Sequence, residues 1–223
     1  MWAHRGASLV HPGNTLGAFR EAVRQGADGV ELDVRCSADG GLVVCHDATL
    51  RDGRPIAELA VAELPADVPL LGPALDACEG LVVNVEIKAD AAGADDLAYL
   101  AGAVASLVTD RAMQGSVVVS SFDLLTVTRL REAEPGIATA YVASPRQDPH
   151  RSLELAVEAG LDALHPPDAA VTPDLVLAAH EKGLAVRVWT VDDPARIRWH
   201  ASLGVDAVIT NAPALAIDAL LRG

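Results

Sequence analysis

Positive charge is in short supply in this chain: 17 lysines and arginines face 31 aspartates and glutamates, giving a formal net charge of −14 and an isoelectric point near 4.7. That balance speaks against nucleic acid or an anionic membrane surface as a partner, because long-range repulsion opposes the encounter. A small anionic substrate is still accommodated where a metal and a few local cations outweigh the distant field. Cysteine is scarce as well. Cys36, Cys45 and Cys78 are odd in number, lie among apolar neighbours and lack metal-ligand spacing, so they read as small hydrophobes in a reducing compartment, without a disulfide. Long hydrophobic runs are also missing, although 51% of the residues are apolar and the mean hydropathy is +0.27. The longest apolar stretch of helical character, Leu97 to Val108, is interrupted by Gly102 and Ser106 and is too short to span a bilayer, so a buried helix and no stable membrane insertion are expected. The first residues, Met1-Trp2-Ala3-His4-Arg5-Gly6, hold no basic stretch followed by an apolar run and a cleavage site, which makes a cytoplasmic protein the expectation. With no composition shift and no repeat beyond the element period, residues 1–223 are expected to form one domain.

What the chain does have is alternation. Apolar β-branched runs recur eight times, at 1–4, 29–34, 81–87, 116–120, 137–142, 161–165, 184–190 and 205–210. Most are followed by stretches of helical period, at 14–25, 73–79, 93–109, 122–133, 151–159, 173–182, 193–203 and 212–221. Eight such units favour a closed (β/α)8 barrel over an open parallel sheet. Thr172-Pro173 and Asp193-Pro194 read as helix N-caps followed by proline, and Gly26, Gly160, Gly183 and Gly204 as helix C-caps. The run 42–46 follows only a tight turn and must pair antiparallel, as an addition at the barrel mouth. The connection 47–72, rich in glycine and proline, reads as an irregular insertion at the same mouth, either a substrate-shaping element or a plain surface excursion.

The chemistry starts in a hairpin. Asp39-Gly40 between the runs 29–34 and 42–45 suits a two-residue turn closed by Ala38 and Gly41. That register sets Asp33 directly opposite His46, with Glu31 on the same face as Asp33. Two carboxylates and an imidazole then share a surface, offering hard oxygen ligands for Mg²⁺ or Ca²⁺ beside a proton carrier, although a solvated hairpin face would look the same. Catalytic groups of such barrels gather at the C-terminal ends of the strands. Polar residues recur there: His4-Arg5-Gly6, Asn84, Glu86 and Lys88 at one parity, and Trp189-Thr190. A buried carboxylate and ammonium two positions apart must meet each other, a metal or an anion. Glu86 as a third ligand and Lys88 as a phosphate contact satisfy both; a structural Glu–Lys pair closing the barrel interior is the alternative. Arg5 needs an anion, and phosphate fits its fork of donors. His4 and His46 supply the two proton transfers that in-line phosphodiester cleavage requires, with acid and base unassigned. Trp189 offers an apolar wall for a substrate's alcohol portion or else packs in the core, Arg187 of the same parity is expected to pair with a carboxylate deeper down, and Phe122 and His165 are weaker lining candidates.

Taken in order, Ala3-His4-Arg5-Gly6, Pro12-Gly13-Asn14-Thr15-Leu16 with Ala18-Phe19, Gly29-Val30-Glu31-Leu32-Asp33-Val34, Asp39-Gly40, His46-Asp47, Glu86-Ile87-Lys88, Ser120-Ser121-Phe122, Val188-Trp189-Thr190-Val191 and Gly204-Val205-Asp206-Ala207-Val208-Ile209-Thr210 resemble the glycerophosphodiester phosphodiesterase family. The resemblance implies a TIM-barrel hydrolase that cuts glycerophosphodiesters to glycerol phosphate and an alcohol, with Glu31, Asp33 and Glu86 on a divalent cation, His4 and His46 as acid and base, and Arg5 and Lys88 on phosphate. Two departures stand out. Gly13 replaces the family's usual glutamate, and the segment from His46 to Glu86 is shorter than the family's usual insertion, which implies a more open site. A lysophospholipase D-like enzyme with an acyl chain along the Trp189 side, and a barrel that binds phosphate esters without turnover, are the competing readings.

Overall fold

The computed structural model describes residues 1–90 and 92–221. Among the described residues, nine strands and eight α-helices follow one another, alternating except for the β2–β3 pair: β1 Trp2–His4, α1 Leu16–Arg24, β2 Gly29–Cys36, β3 Leu42–Val44, α2 Leu71–Ala77, β4 Val82–Ile87, α3 Ala94–Asp110, β5 Val117–Ser121, α4 Leu124–Ala133, β6 Ala138–Val142, α5 Pro149–Glu158, β7 Ala163–His165, α6 Pro173–Glu181, β8 Ala185–Val188, α7 Pro194–Ser202, β9 Ala207–Thr210 and α8 Pro213–Leu221. Eight strands pair in parallel, and β1 closes the ring by bonding both β9 and β2. The result is a (β/α)8 barrel, with β3 antiparallel to β2 outside the ring as the sequence implies.

Local chemistry sets the helix ends. Thr172 accepts a hydrogen bond from the Leu175 amide and Asp193 from the Ala195 and Arg196 amides, satisfying donors that a helix N-terminus leaves free. The four glycines expected as C-caps all have positive φ, where a side chain would be strained. The long apolar helix is α3, with Leu100, Val104 and Val108 buried against the barrel. Among the described residues, no helix is long and apolar enough to cross a membrane.

Three observations correct the sequence reading. The hairpin turn holds three residues, not two: Cys36 stands opposite Leu42, Ser37 bonds Gly41, and Gly40 supplies the positive φ. The Ser37 hydroxyl accepts from the Gly41 amide at 2.7 Å and donates to Asp39 at 2.6 Å, which fixes the longer loop. Asp33 therefore faces Cys45, whose amide donates to the Asp33 carbonyl, and His46 lies one residue beyond. Second, the insertion is only partly irregular, since Ile56–Glu58 and Val61–Glu63 form 3-10 turns and Leu50, Ile56 and Leu59 pack with Val43. Third, among the described residues Arg187 forms no ion pair with a carboxylate, and Asp206 and Asp162 act on it only through longer-range charge. Its guanidinium lies 4.7 Å from the centroid of the Trp2 ring and its Nη1 is 3.3 Å from His165 Nε2, because the barrel floor around it is built of Trp2, Ala140, Ala163 and Ala207. Gly29 makes room for that floor: a Cβ there would lie 2.6 Å from the Trp2 ring.

Candidate active site

Alternation along β2 turns Glu31, Asp33 and Arg35 to one face, and the parallel register with β4 sets Asn84 beside Glu31 and Glu86 beside Asp33. Glu31, Asp33 and Glu86 each offer a carboxylate oxygen, and these atoms lie within 4.8 Å of one another. Their exposures are 3%, 1% and 9%, so little water screens them. Burial, followed by the charges of Asp33 and Glu86, pushes the Glu31 carboxyl well above the usual range; burial and then Asp33 raise that of Glu86. Three packed acids of this kind call for a cation.

Part of the compensation comes from the protein. Lys88 Nζ sits 2.8 Å from Glu86 Oε1 and 3.4 Å from Asp33 Oδ1, and although burial works against its charge, Glu86 and Asp33 raise its pKa. Arg5 Nε is 3.2 Å from Asp33 Oδ2, and the Arg5 amide donates to Glu31 Oε2 at 3.0 Å. Arg5 takes a positive φ of 56° in the turn that aims this amide inward, and Gly6 follows at 80°, where a Cβ would collide with the Ala18 backbone. Asn14 Nδ2 donates to Asp33 Oδ2 at 2.7 Å. Among the described residues, the buried Asn84 Oδ1 oxygen finds no partner, and Asn84 lines the cavity that the three carboxylates face. An all-oxygen donor set of this density suits a hard divalent cation, so the residues fit the Mg²⁺ or Ca²⁺ that the sequence suggests.

Both histidines reach the cavity through different settings. Asn211 Nδ2 donates to Asp192, which orients the Asn211 Oδ1 toward His4 Nδ1 at 2.7 Å. The proton of the neutral His4 ring therefore rests on Nδ1, and Nε2 faces Glu31 Oε2 at 3.9 Å. Burial, and then Arg5, hold the His4 pKa below its usual value. His46 is more exposed; its Nδ1 bonds the Asp47 carboxylate at 2.7 Å, and Asp47 is held below the usual carboxyl range by that contact. Trp189 anchors its indole N–H on the His165 carbonyl at 2.8 Å and meets the Phe122 ring edge-on at 5.6 Å.

His4, Arg5, Glu31, Asp33, His46, Glu86, Lys88, Phe122 and Trp189, with Asn84 and His165, line one cavity of about 90 Å³ at the C-terminal ends of the strands, and Arg187 does not. Asn14, Arg35, Asp192 and Asn211 support its walls without having been singled out. Asn14 lies within one of the recurring motifs, and Arg35 and Asn211 each directly follow one, which is the sequence signal they offered. At Gly13 a Cβ would stand 3.0 Å from the Arg5 Cβ, so in this chain the loop packs directly on the arginine stem.

The model of the glycerophosphoryl diester phosphodiesterase family matches residues 4–215. The chain belongs to that family. Among relatives, a glycerophosphodiester phosphodiesterase of Caldanaerobacter subterraneus is 27% identical over 248 residues, covering 99% of this chain and 97% of that protein. A crystal structure of a putative family member from Silicibacter pomeroyi superimposes with a TM-score of 0.91 at 30% identity, over 99% of this chain and 92% of the other. A phosphodiesterase of Oleispira antarctica, solved with the product sn-glycerol-3-phosphate, gives 0.89 at 25% identity over 98% and 95% of the two chains. The likeness extends over the whole barrel rather than over one motif.

Proposed function

We propose that this chain, one working unit over residues 1–223, hydrolyses glycerophosphodiesters to glycerol phosphate and an alcohol with a divalent cation held by Glu31, Asp33 and Glu86. The single observation that carries the reading is the buried cluster of three carboxylates facing two differently supported imidazoles in one cavity. A cation bound there supplies Lewis-acid polarisation of the phosphoryl oxygens. Arg5 and Lys88 contact the remaining phosphate charge, Arg5 through its fork of donors and Lys88 as a point charge. His4, neutral with Nε2 free, is the base that takes the proton of the attacking water as its oxygen bonds phosphorus. His46, bonded to the Asp47 carboxylate, delivers a proton to the alcohol oxygen as the P–O bond breaks. Trp189 and Phe122 form an apolar wall against the substrate's organic portion. The cytoplasm, whose reducing conditions suit the three free cysteines, is the proposed setting.

A metal-by-substrate screen on purified protein tests this. The expected outcome is glycerol phosphate released from glycerophosphocholine or a similar diester with Mg²⁺ or Ca²⁺, and none after EDTA. Turnover of lysophospholipid alone would favour a lysophospholipase D-like enzyme, and calorimetric binding without hydrolysis at any metal would favour a phosphate-ester-binding barrel.

A further inference from the structure

The antiparallel pairing of β2 with β3 ends where the Cys45 amide bonds the Asp33 carbonyl, so His46 leaves the sheet before it reaches the cavity. What seizes its backbone is a side chain. Arg35 stands two positions beyond Asp33 on the same face of β2, 7% exposed. Its Nε and Nη2 donate to the His46 carbonyl at 2.9 and 2.6 Å. The same guanidinium donates through Nη2 to both Asp90 carboxylate oxygens, at 2.8 and 2.9 Å, and through Nη1 to the Asp90 carbonyl at 3.1 Å. Asp90 lies two residues after Lys88. One planar, permanently charged group on the strand of two acidic site residues thus ties down the segment carrying His46 and the segment carrying Lys88.

We infer that Arg35 is a positioning residue that holds His46 over the carboxylate cluster by clamping its carbonyl against Asp90. The inference rests on His46 acting as the proton donor to the leaving alcohol. Its signature follows from that step: a departing alkoxide needs the proton, whereas p-nitrophenolate leaves without one. A slackened clamp therefore slows cleavage of alkyl diesters far more than of an aryl diester. A 1 Å displacement of a reacting group typically costs about 100-fold.

The test measures kcat and KM of the metal-loaded enzyme on glycerophosphocholine and on glycerol p-nitrophenyl phosphodiester for Arg35→Met, Asp90→Asn, His46→Ala and the Arg35→Met/His46→Ala double variant. Asp90 has a side chain 63% exposed, so Asp90→Asn loosens the clamp without a folding question. The expected result is a fall in kcat on glycerophosphocholine of about 100-fold for Arg35→Met and about 10-fold for Asp90→Asn, with KM nearly unchanged. On the aryl diester both losses shrink to about 5-fold or less, and Arg35→Met adds about 2-fold or less in the His46→Ala background. An inactive His46→Ala beside Asp90→Asn and Arg35→Met at the wild-type rate overturns the inference alone, as do equal losses on both substrates that persist in the double variant. His46→Ala at the wild-type rate on both substrates overturns the proton-donor role, and the inference with it.

Discussion

The two sides of the barrel's inner wall are built on opposite principles. On β2 and β4 the inward positions are Glu31, Asp33, Asn84 and Glu86, buried and charged or polar. Across the axis, β6, β7 and β9 turn Ala140, Ala163, Ala207 and Ile209 inward, small or apolar groups that leave room for Trp2 and Arg187 on the floor, with His165 as the buried polar residue of β7 beside them. The apolar side stabilises the fold by ordinary burial. The acidic side works against it unless a cation offsets it, since like charges held close in a dry site disfavour their own ionised forms. Where a strand could have been filled with valine and carries carboxylates instead, the difference marks the site.

Removing a ligand from the acidic side has the largest expected effect. Glu31→Ala, Asp33→Ala or Glu86→Ala lowers kcat/KM by about 10³-fold or more, because the several kcal/mol that a bound metal supplies are lost with its holder; steady-state kinetics at saturating Mg²⁺ or Ca²⁺ check this, and a near-wild-type variant removes that residue from the site. On the other side the expected loss is one of stability. Leu164, a residue of β7 fully buried on its helix-facing side, becomes a cavity in Leu164→Ala and destabilises the fold by ~2–5 kcal/mol in urea unfolding, with the kcat of the folded fraction unchanged. The smallest effect has the opposite sign. Glu31 has a folded pKa raised above its unfolded value, so its contribution to stability is full below the unfolded pKa and is lost as pH rises through the folded one; above its unfolded pKa an ionisable group at this position destabilises the metal-free protein. Glu31→Gln, which keeps an oxygen for the Arg5 amide, is expected to raise the metal-free melting temperature at neutral pH by about 2–4 °C while abolishing the further rise on adding metal. Scanning calorimetry with and without EDTA reads both.

The fold was legible because barrel units and helix ends are local: β/α alternation and the Thr172, Asp193 and Gly183 caps each need only a few neighbouring residues. The cluster of Glu31, Asp33 and Glu86 was legible through strand parity and motif order. The hairpin register was not, because Asp39-Gly40 fits a two-residue turn and the Ser37 hydroxyl, two residues before Asp39, selects the longer loop. Nor was the support of His4, since Asn211 lies 207 residues away in sequence and meets it only when β1 and β9 close the ring. Arg187 misled for a related reason. Charge alone suggests a carboxylate partner, while the barrel floor offers it an aromatic face.

Isothermal titration of Mg²⁺ and Ca²⁺ into the metal-free protein, beside Asp33→Ala, puts the carboxylate cluster to the most direct trial. The expected result is one divalent ion bound per chain and none in the variant. A wild-type protein that takes up no ion at millimolar metal, or a variant that binds as tightly, would contradict the account.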